Sequence, residues 1–213
     1  MTTQEERLRA ILQPETTAVL TMELQNGVVG EGAMMGALLD VLRDAGTLEA
    51  ARRLCTGARD AGARVVHCTA VARPDGAGAS ENCKIFAMTA RQRREHGVTS
   101  TQLGTPGADV IDALDDPRDI VVPRLHGMTP FTSTSLDQIL RNLGIRTVVA
   151  TGVSLNLGVF GMALTALDLG YQVVIPRDAV AGVPREYGDA VLEHSLSLIA
   201  TITSVDAILA LWS

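Results

Sequence analysis

Two charged residues follow strand-like segments of this sequence and could carry acid–base or anion-binding chemistry. Glu23 ends the run TAVLTME, and Arg124 follows the run DIVVP. A carboxylate at the C-terminal end of a parallel strand is well placed to accept or donate a proton. A guanidinium cannot shuttle protons, but it can hold a carboxylate or an oxyanion through two hydrogen bonds. If these residues meet, they form either a functional pair or a purely structural ion pair, and both interpretations stay open.

A third segment has the pattern of a strand, a turn, a helix and a second strand. The β-branched run 147–151 precedes the turn Gly152-Val153-Ser154, a helix is predicted from Asn156 to Gly170, and residues 171–175 form another β-branched run. A parallel crossover connection needs a segment of this length. The N–H groups at the start of the predicted helix lack helical partners, so we expect them to favour a bound anion.

These segments resemble the signature of a known family. The sequence GVSLNLGV, followed by a helix, GY and DA, is similar to the GVxTNxCV pattern of the isochorismatase-like (cysteine hydrolase) superfamily. Gly158 stands where that pattern has its nucleophilic cysteine. Glu23, in TMELQN, stands where the family has an acid–base aspartate, in VIDMQN. Arg124 stands where the family has a lysine. The matching residues of the signature are Gly152, Val153, Asn156, Val159, Gly170, Tyr171, Asp178 and Ala179.

The resemblance implies a hydrolase that works without a cysteine. Gly158 has no side chain and cannot form a thioester, so water would be the attacking nucleophile. Glu23 would be the general acid/base, and Arg124 would anchor a carboxylate or an oxyanion. The implied substrate is a small anionic molecule. True isochorismatases also resemble this pattern with glycine at the cysteine position, so cleavage of an isochorismate-type enol ether is the specific expectation.

Two alternatives belong to other functional classes. The chain could be a catalytically inactive homologue that keeps the pocket and binds a small molecule. It could also be an amidase whose nucleophile has moved to Cys68 or Cys83. Reactive cysteines need an environment that stabilises the thiolate, and the sequence around Cys68 shows no helix N-terminus that would provide one.

The same resemblance points to substrate-binding residues around the acid–base pair. His126 could supply the proton transfer that Arg124 cannot, or it could be an ordinary loop residue. The resemblance also implies a cis peptide bond between Val153 and Ser154, which would aim backbone N–H groups at a developing oxyanion. The residues expected to contact substrate are Gln25, His126, Phe131, Ser154 and Asn156.

The stretch from residue 71 to residue 119 is irregular and contains the Gly- and Ser-rich segment RPDGAGASEN. Long loops of this kind often carry function, so we expect residues 71–94, together with Phe131, to form a lid. The cluster Arg91, Arg93, Arg94 is interpreted as a solvated helix face. Asp75 has no neighbouring histidine, and the sequence lacks glycine-rich nucleotide fingerprints, so neither a metal nor a cofactor is expected.

Strand-like segments alternate with helical ones along the chain. This alternation predicts an α/β protein with a three-layer αβα Rossmann-like fold and a mostly parallel sheet of about six strands. Residues 1–213 are expected to form a single isochorismatase-like hydrolase domain. The predicted strands end at Glu23, Ala70, Pro123, Thr151 and Ile175, with a short one near 201–204, and the clearest helices are predicted over 47–61, 135–143 and 184–200.

Composition narrows the functional class. The chain has 213 residues, 46% of them apolar, and a net charge of −6, which argues against a nucleic-acid partner. Three cysteines without close spacing indicate reduced thiols. The charged N-terminal segment predicts no signal peptide, and no apolar run is long enough to span a membrane. We therefore expect a cytoplasmic protein that acts on a small molecule and forms a homodimer or a larger homo-oligomer.

Overall fold

The computed structural model describes residues 4–30, residue 33 and residues 36–213. The strands within this part are β1 (Thr17–Met22), β2 (Arg64–Ala70), β3 (Ile120–Arg124), β4 (Thr147–Val153), β5 (Gln172–Pro176), β6 (Val180–Ala181) and β7 (Thr201–Thr203). The α-helices are α1 (Gln4–Ile11), α2 (Asn26–Val29), α3 (Gly36–Asp44), α4 (Thr47–Ala61), α5 (Lys84–His96), α6 (Leu136–Asn142), α7 (Phe160–Asp168), α8 (Arg185–His194) and α9 (Val205–Trp212). A π-helical turn, Leu155–Val159, leads directly into α7.

The strands form one parallel sheet in the order β3-β2-β1-β4-β5-β7. The short strand β6 pairs with the end of β4, beyond the residues of β4 that pair with β5. The structure thus confirms the predicted mostly parallel sheet, with seven strands. Two residues are too few to show a hydrophobic period, which is why β6 is not recognisable in the sequence.

Apolar side chains alternate between the two faces of the sheet and form a core on each. On β1, Val19 belongs to the core beneath α4 and α9, whereas Leu20 and Met22 belong to the core beneath α6, α7 and α8. Every residue of β1 and of β4 is buried. Central parallel strands covered on both faces are typically apolar in this continuous way, and the observed layers are those of the predicted αβα fold.

The ends of the strands define where a ligand can bind. Parallel strands all end at the same edge, and the chain leaves β1 towards β2 on one side and reaches β4 on the other. The crevice between two such neighbouring strands is where open α/β sheets bind ligands. Glu23 follows β1 directly, Arg124 is the last residue of β3, and Ser154 follows β4, so these residues lie at one edge.

The helices differ from the predicted ones in three places. The helix predicted over 184–200 ends at His194 and continues as a separate 3-10 turn, Leu196–Leu198. The helix predicted from Asn156 begins as the π-helical turn. The stretch 71–119, predicted to be irregular, contains the 13-residue helix α5, of which only Ala90 is buried. Among the described helices, none is long and apolar enough to cross a membrane.

Candidate active site

A mostly apolar cavity of about 480 Å³ opens at the C-terminal edge of the sheet. Its floor is formed by residues at or just beyond the ends of β1, β3 and β4, among them Glu23, Arg124 and Gly158. Helix α5 and the segments on either side of it form another part of the cavity lining. The cavity therefore lies at the crevice that the strand order predicts, and it is large enough for a small molecule.

Glu23 and Arg124 form an ion pair on the floor of the cavity. Arg124 donates a hydrogen bond from Nη2 to Glu23 Oε1, and both residues line the cavity. The Arg124 side chain is 4% exposed and that of Glu23 is 21% exposed. A buried guanidinium against a partly exposed carboxylate leaves the carboxylate reachable from the cavity while its position is fixed.

The strand register brings the two residues together. Met22 pairs with Cys68, and Ala70 pairs with Arg124, so the ends of β1, β2 and β3 lie side by side. Glu23 has φ 54°, and its N–H donates to Cys68 O at 2.9 Å, which turns its side chain away from the regular strand direction. Arg124 Nε donates to Gly127 O at 2.8 Å, which fixes the guanidinium from the other side.

The turn after β4 has the cis peptide bond predicted between Val153 and Ser154. Ser154 Oγ donates to Asn156 Oδ1 at 2.6 Å, and both residues line the cavity. Gly152 has φ 99°, and a Cβ atom there would collide with the backbone of Met22. A glycine is therefore required at this position, because only it allows β4 to approach the end of β1 so closely.

Gly158 lies in the π-helical turn and lines the cavity on the same floor as the ion pair. A Cβ atom at this position would lie 2.8 Å from Met22 Cε and 3.3 Å from Val153 O. The Met22 side chain therefore fills part of the space that a side chain at position 158 would need. Met22 Sδ also lies 4.0 Å from Arg124 Nη1.

His126 lines the cavity, as expected, on the loop that follows Arg124. Its ring packs against Phe86 of α5, with ring centroids 5.0 Å apart and an interplanar angle of 46°. This contact joins the loop after β3 to the wall formed by α5. Residues 84–94 of the segment expected to form a lid lie in helix α5, which contacts the loop after β3 through this aromatic pair.

Two residues expected to bind substrate point elsewhere. Gln25 is fully buried, and its amide bonds Ala70 O at 2.9 Å, Gly107 O at 3.2 Å and Ala70 N at 2.7 Å. Both ends of the amide serve the backbone, so Gln25 joins the loop after β1 to its neighbours. Phe131 packs in the core, 6.0 Å from the Tyr171 ring centroid, and does not belong to the lid. Neither residue lines the cavity.

Neither proposed substitute cysteine lies in the cavity wall. Cys68 is fully buried, and burial raises the pKa of its thiol to about 12, so it stays protonated at neutral pH. Cys83 is exposed immediately before α5 and does not line the cavity. The arrangement offers no support for an amidase with a relocated thiol nucleophile.

His67 on β2 is the centre of a buried hydrogen-bond network that does not reach the cavity. His67 Nδ1 lies 2.7 Å from Thr21 Oγ1, and His67 Nε2 lies 2.8 Å from Asp119 Oδ2, which also pairs with Arg59. The His67 and Asp119 side chains are 1% and 3% exposed, so this network joins strands and loops and serves a structural role. Among the described residues, no cluster of three or more His, Cys, Asp or Glu is arranged to hold a metal ion.

The cavity-facing side of α5 was not predicted from the sequence. Lys84, Phe86, Met88 and Arg93 all line the cavity. Arg93, interpreted from the sequence as part of a solvated face, is instead half-buried against the loop at Gly76. The spacing of Lys84, Met88 and Gln92, four residues apart, could have indicated a helix face. These residues do not form an apolar stripe, however, because the face lines a cavity and does not pack in the core.

Comparison with known proteins gives the family. The Isochorismatase domain matches residues 17–207. The ureidoacrylate amidohydrolase RutB of Rhizobium rhizogenes is 31% identical over 176 residues, which cover 79% of this chain and 71% of that protein. A protein of the same name from Methylorubrum extorquens is 32% identical over 180 residues, which cover 80% of this chain and 72% of that protein.

Solved structures agree on the fold. An isochorismatase family protein from Desulfovibrio vulgaris matches with a TM-score of 0.79 at 24% identity, covering 91% of this chain and 96% of that one. N-carbamoylsarcosine amidase from Thermoplasma acidophilum matches with a TM-score of 0.68 at 24% identity, covering 90% of this chain and 97% of that one. At this identity the structures show the αβα fold alone. The domain match, together with relatives that are more than 30% identical, shows that the chain belongs to the isochorismatase family of hydrolases.

Proposed function

We propose that this protein hydrolyses a C–N bond of a small amide, with water as the nucleophile. The observation that carries the proposal is the Glu23–Arg124 ion pair, which lies on the floor of a cavity beside Gly158. A carboxylate on that floor can activate water, whereas the residue at the expected nucleophile position cannot attack. The chemistry is therefore acid–base hydrolysis without a covalent intermediate.

In the proposed reaction each group has a defined role. The Glu23 carboxylate accepts a proton from water, whose oxygen attacks the carbonyl carbon of the substrate. Arg124 fixes the carboxylate, and backbone N–H groups near Ser154 and Gly158 stabilise the developing oxyanion. The proton then passes from Glu23 to the departing nitrogen, the C–N bond breaks, and an acid and an amine leave. Asn156 and His126, which also line the cavity, would orient the substrate.

The relatives favour an amide over the enol ether expected from the sequence resemblance. Proteins named ureidoacrylate amidohydrolases match four fifths of this chain at 31–32% identity. An amidohydrolase acts on an amide bond, and we carry this reaction type over to the present chain. The substrate class that follows is a ureido or carbamoyl compound of small size, and isochorismate becomes a comparison compound in the test.

The test compares wild type with Glu23→Gln on small ureido acids, simple amides and isochorismate. We expect wild type to release ammonia from at least one amide, and the variant to lose at least about a hundredfold in kcat because its side chain cannot accept a proton. Glu186→Gln, on the exposed side of α8, is the matched control and should retain full activity. Binding of small acids without turnover in wild type would contradict the proposal and identify a ligand-binding homologue.

We also propose a cytoplasmic homo-oligomer. The three cysteines remain free thiols, as in proteins of a reducing compartment. Leu164 and Leu167 are each about two fifths exposed on α7. Two exposed leucines on one helix favour contact with a second copy of the chain.

A further inference from the structure

The charge inside the cavity is opposite to the charge of the chain. The protein carries a net charge of −6, yet the charged residues that line the cavity are one carboxylate, Glu23, and three cations, Lys84, Arg93 and Arg124. Arg124 and Glu23 neutralise each other as an ion pair. Two positive charges on α5 are left facing the cavity. An acidic protein with a cationic cavity concentrates small anions at that place.

Other arginines on and around α5 are paired with carboxylates. Arg91 pairs with Glu95, Arg94 pairs with Glu81, and Arg73 pairs with Asp75, and all six of these residues are exposed. None of these three arginines lines the cavity. The arginines that face away from the cavity therefore have carboxylate partners within the chain.

The two cations of α5 that line the cavity have no such partner. Within the described part of the chain, neither Lys84 nor Arg93 has a carboxylate within ion-pairing distance. The Arg93 guanidinium packs against the loop at Gly76, in space that a Cβ atom at position 76 would occupy. Glu81 is close enough to Arg93 to interact with its charge, but the Glu81 carboxylate is bound directly by Arg94. Arg93 therefore makes no direct ion pair within the described residues, and the carboxylate of a ligand can supply one.

We propose that Arg93 binds a carboxylate group of the substrate in the same cavity as the Glu23–Arg124 pair. The substrate class is then a small molecule with a carboxylate at one end and the scissile amide at the other. The apolar lining of the cavity accommodates the carbon chain. The assignment of this ligand as substrate rests on the proposed function, but the anion site itself does not.

The test measures binding of compounds that the enzyme cannot hydrolyse. The probes are 4-oxopentanoate and 5-oxohexanoate, each compared with the alcohol in which CH2OH replaces the carboxylate, in ligand-observed NMR titrations of wild-type protein. We expect at least one acid to bind about ten times more tightly than its alcohol, as a charge-assisted pair with a guanidinium would produce. Arg93→Gln should abolish this preference.

The matched control is Arg91→Gln, on the same helix but outside the cavity and paired with Glu95. It should keep the preference for the acid. The inference is overturned if no acid binds more tightly than its alcohol, or if Arg93→Gln keeps the preference as Arg91→Gln does. Turnover plays no part in this readout, so a protein that binds acids through Arg93 but hydrolyses nothing would contradict only the proposed function.

Discussion

Gly158 and Gly161 lie three residues apart and differ in what a side chain would meet. A Cβ atom at position 158 would lie 2.8 Å from Met22 Cε, whereas one at position 161 would lie 3.9 Å from the nearest atom, Thr129 Cβ. The first distance requires Met22 to move, and the second is an ordinary contact. The packing of the cavity floor is therefore adapted to a glycine at position 158, because Met22 occupies space that a side chain there would need.

This difference leads to a stability prediction for the two glycines. Gly161→Ala should raise the free energy of unfolding by about 0.5–1 kcal/mol, because alanine loses less backbone entropy in a helix. Gly158→Ala should gain nothing or destabilise, because displacing Met22 offsets the same benefit. Urea unfolding of both variants measures the difference. Equal stabilisation at the two positions would show that Met22 does not occupy the space beside Gly158.

The residues of the site could be predicted where topology alone decides their place. Glu23 and Arg124 follow parallel strands, so any sequence that gives these strands brings them to one edge. Gln25 also lies at that edge, but its side chain turns into the protein and bonds backbone atoms of Ala70 and Gly107. The orientation of the Gln25 side chain depends on partners that are distant in the sequence, so no local sequence pattern predicts it. The same holds for Phe131, which packs in the core.

Among the secondary-structure elements, helix α5 shows the limit of periodicity. Helix α4 was predicted with its observed bounds because it presents a regular apolar stripe to the core. Helix α5 buries only Ala90, and the face that it turns inward meets a cavity. A wall of this kind mixes Lys84, Phe86 and Arg93, so the hydrophobic pattern that normally identifies a helix is absent.

The buried hydrogen-bond network around His67 of β2 gives a prediction about stability. Burial alone raises the pKa of Asp119, but hydrogen bonds from His67 and Arg59 outweigh this effect and leave the pKa below its usual value. Asp119→Asn removes the close carboxylate partner of the Arg59 guanidinium, which is 10% exposed, and leaves it the more distant Asp116 carboxylate at 3.8 Å. We expect a loss of about 3 kcal/mol in the free energy of unfolding at pH 7, as for other broken buried pairs.

The pH dependence of this loss has a definite sign. A carboxylate with a lowered pKa in the folded state stabilises the protein above its unfolded pKa of about 3.9, and the contribution is lost as the pH falls through the folded value. The difference between wild type and Asp119→Asn should therefore narrow below about pH 4. Asp189→Asn, in an exposed pair with Arg185, is the control and should change little at any pH. If the difference in the free energy of unfolding between wild type and Asp119→Asn stayed constant at acid pH, the stabilisation would not come from the ionised Asp119 carboxylate.

For the molecule as a whole, the exposed leucines of α7 predict self-association. The double variant Leu164→Lys and Leu167→Lys should sediment as a monomer at low micromolar concentration, because lysines would be buried against the second copy without partners. Leu198→Lys is the control, since Leu198 is 81% exposed on a separate turn. It should leave the sedimentation coefficient of wild type unchanged. If wild type itself sedimented as a monomer at this concentration, the predicted self-association would be wrong.

The lack of a thiol in the cavity wall also has a consequence for how the protein responds to its surroundings. Enzymes that attack through a cysteine thiolate can be silenced when peroxide converts it to a sulfenic acid or when a disulfide forms on it. Within the described structure, this cavity presents no sulfhydryl group, and Cys68 is held buried and protonated. In the proposed reaction water is the attacking species, and it cannot be inactivated in this way. Peroxide at concentrations that silence a cysteine hydrolase would then leave the nucleophile of this site unchanged.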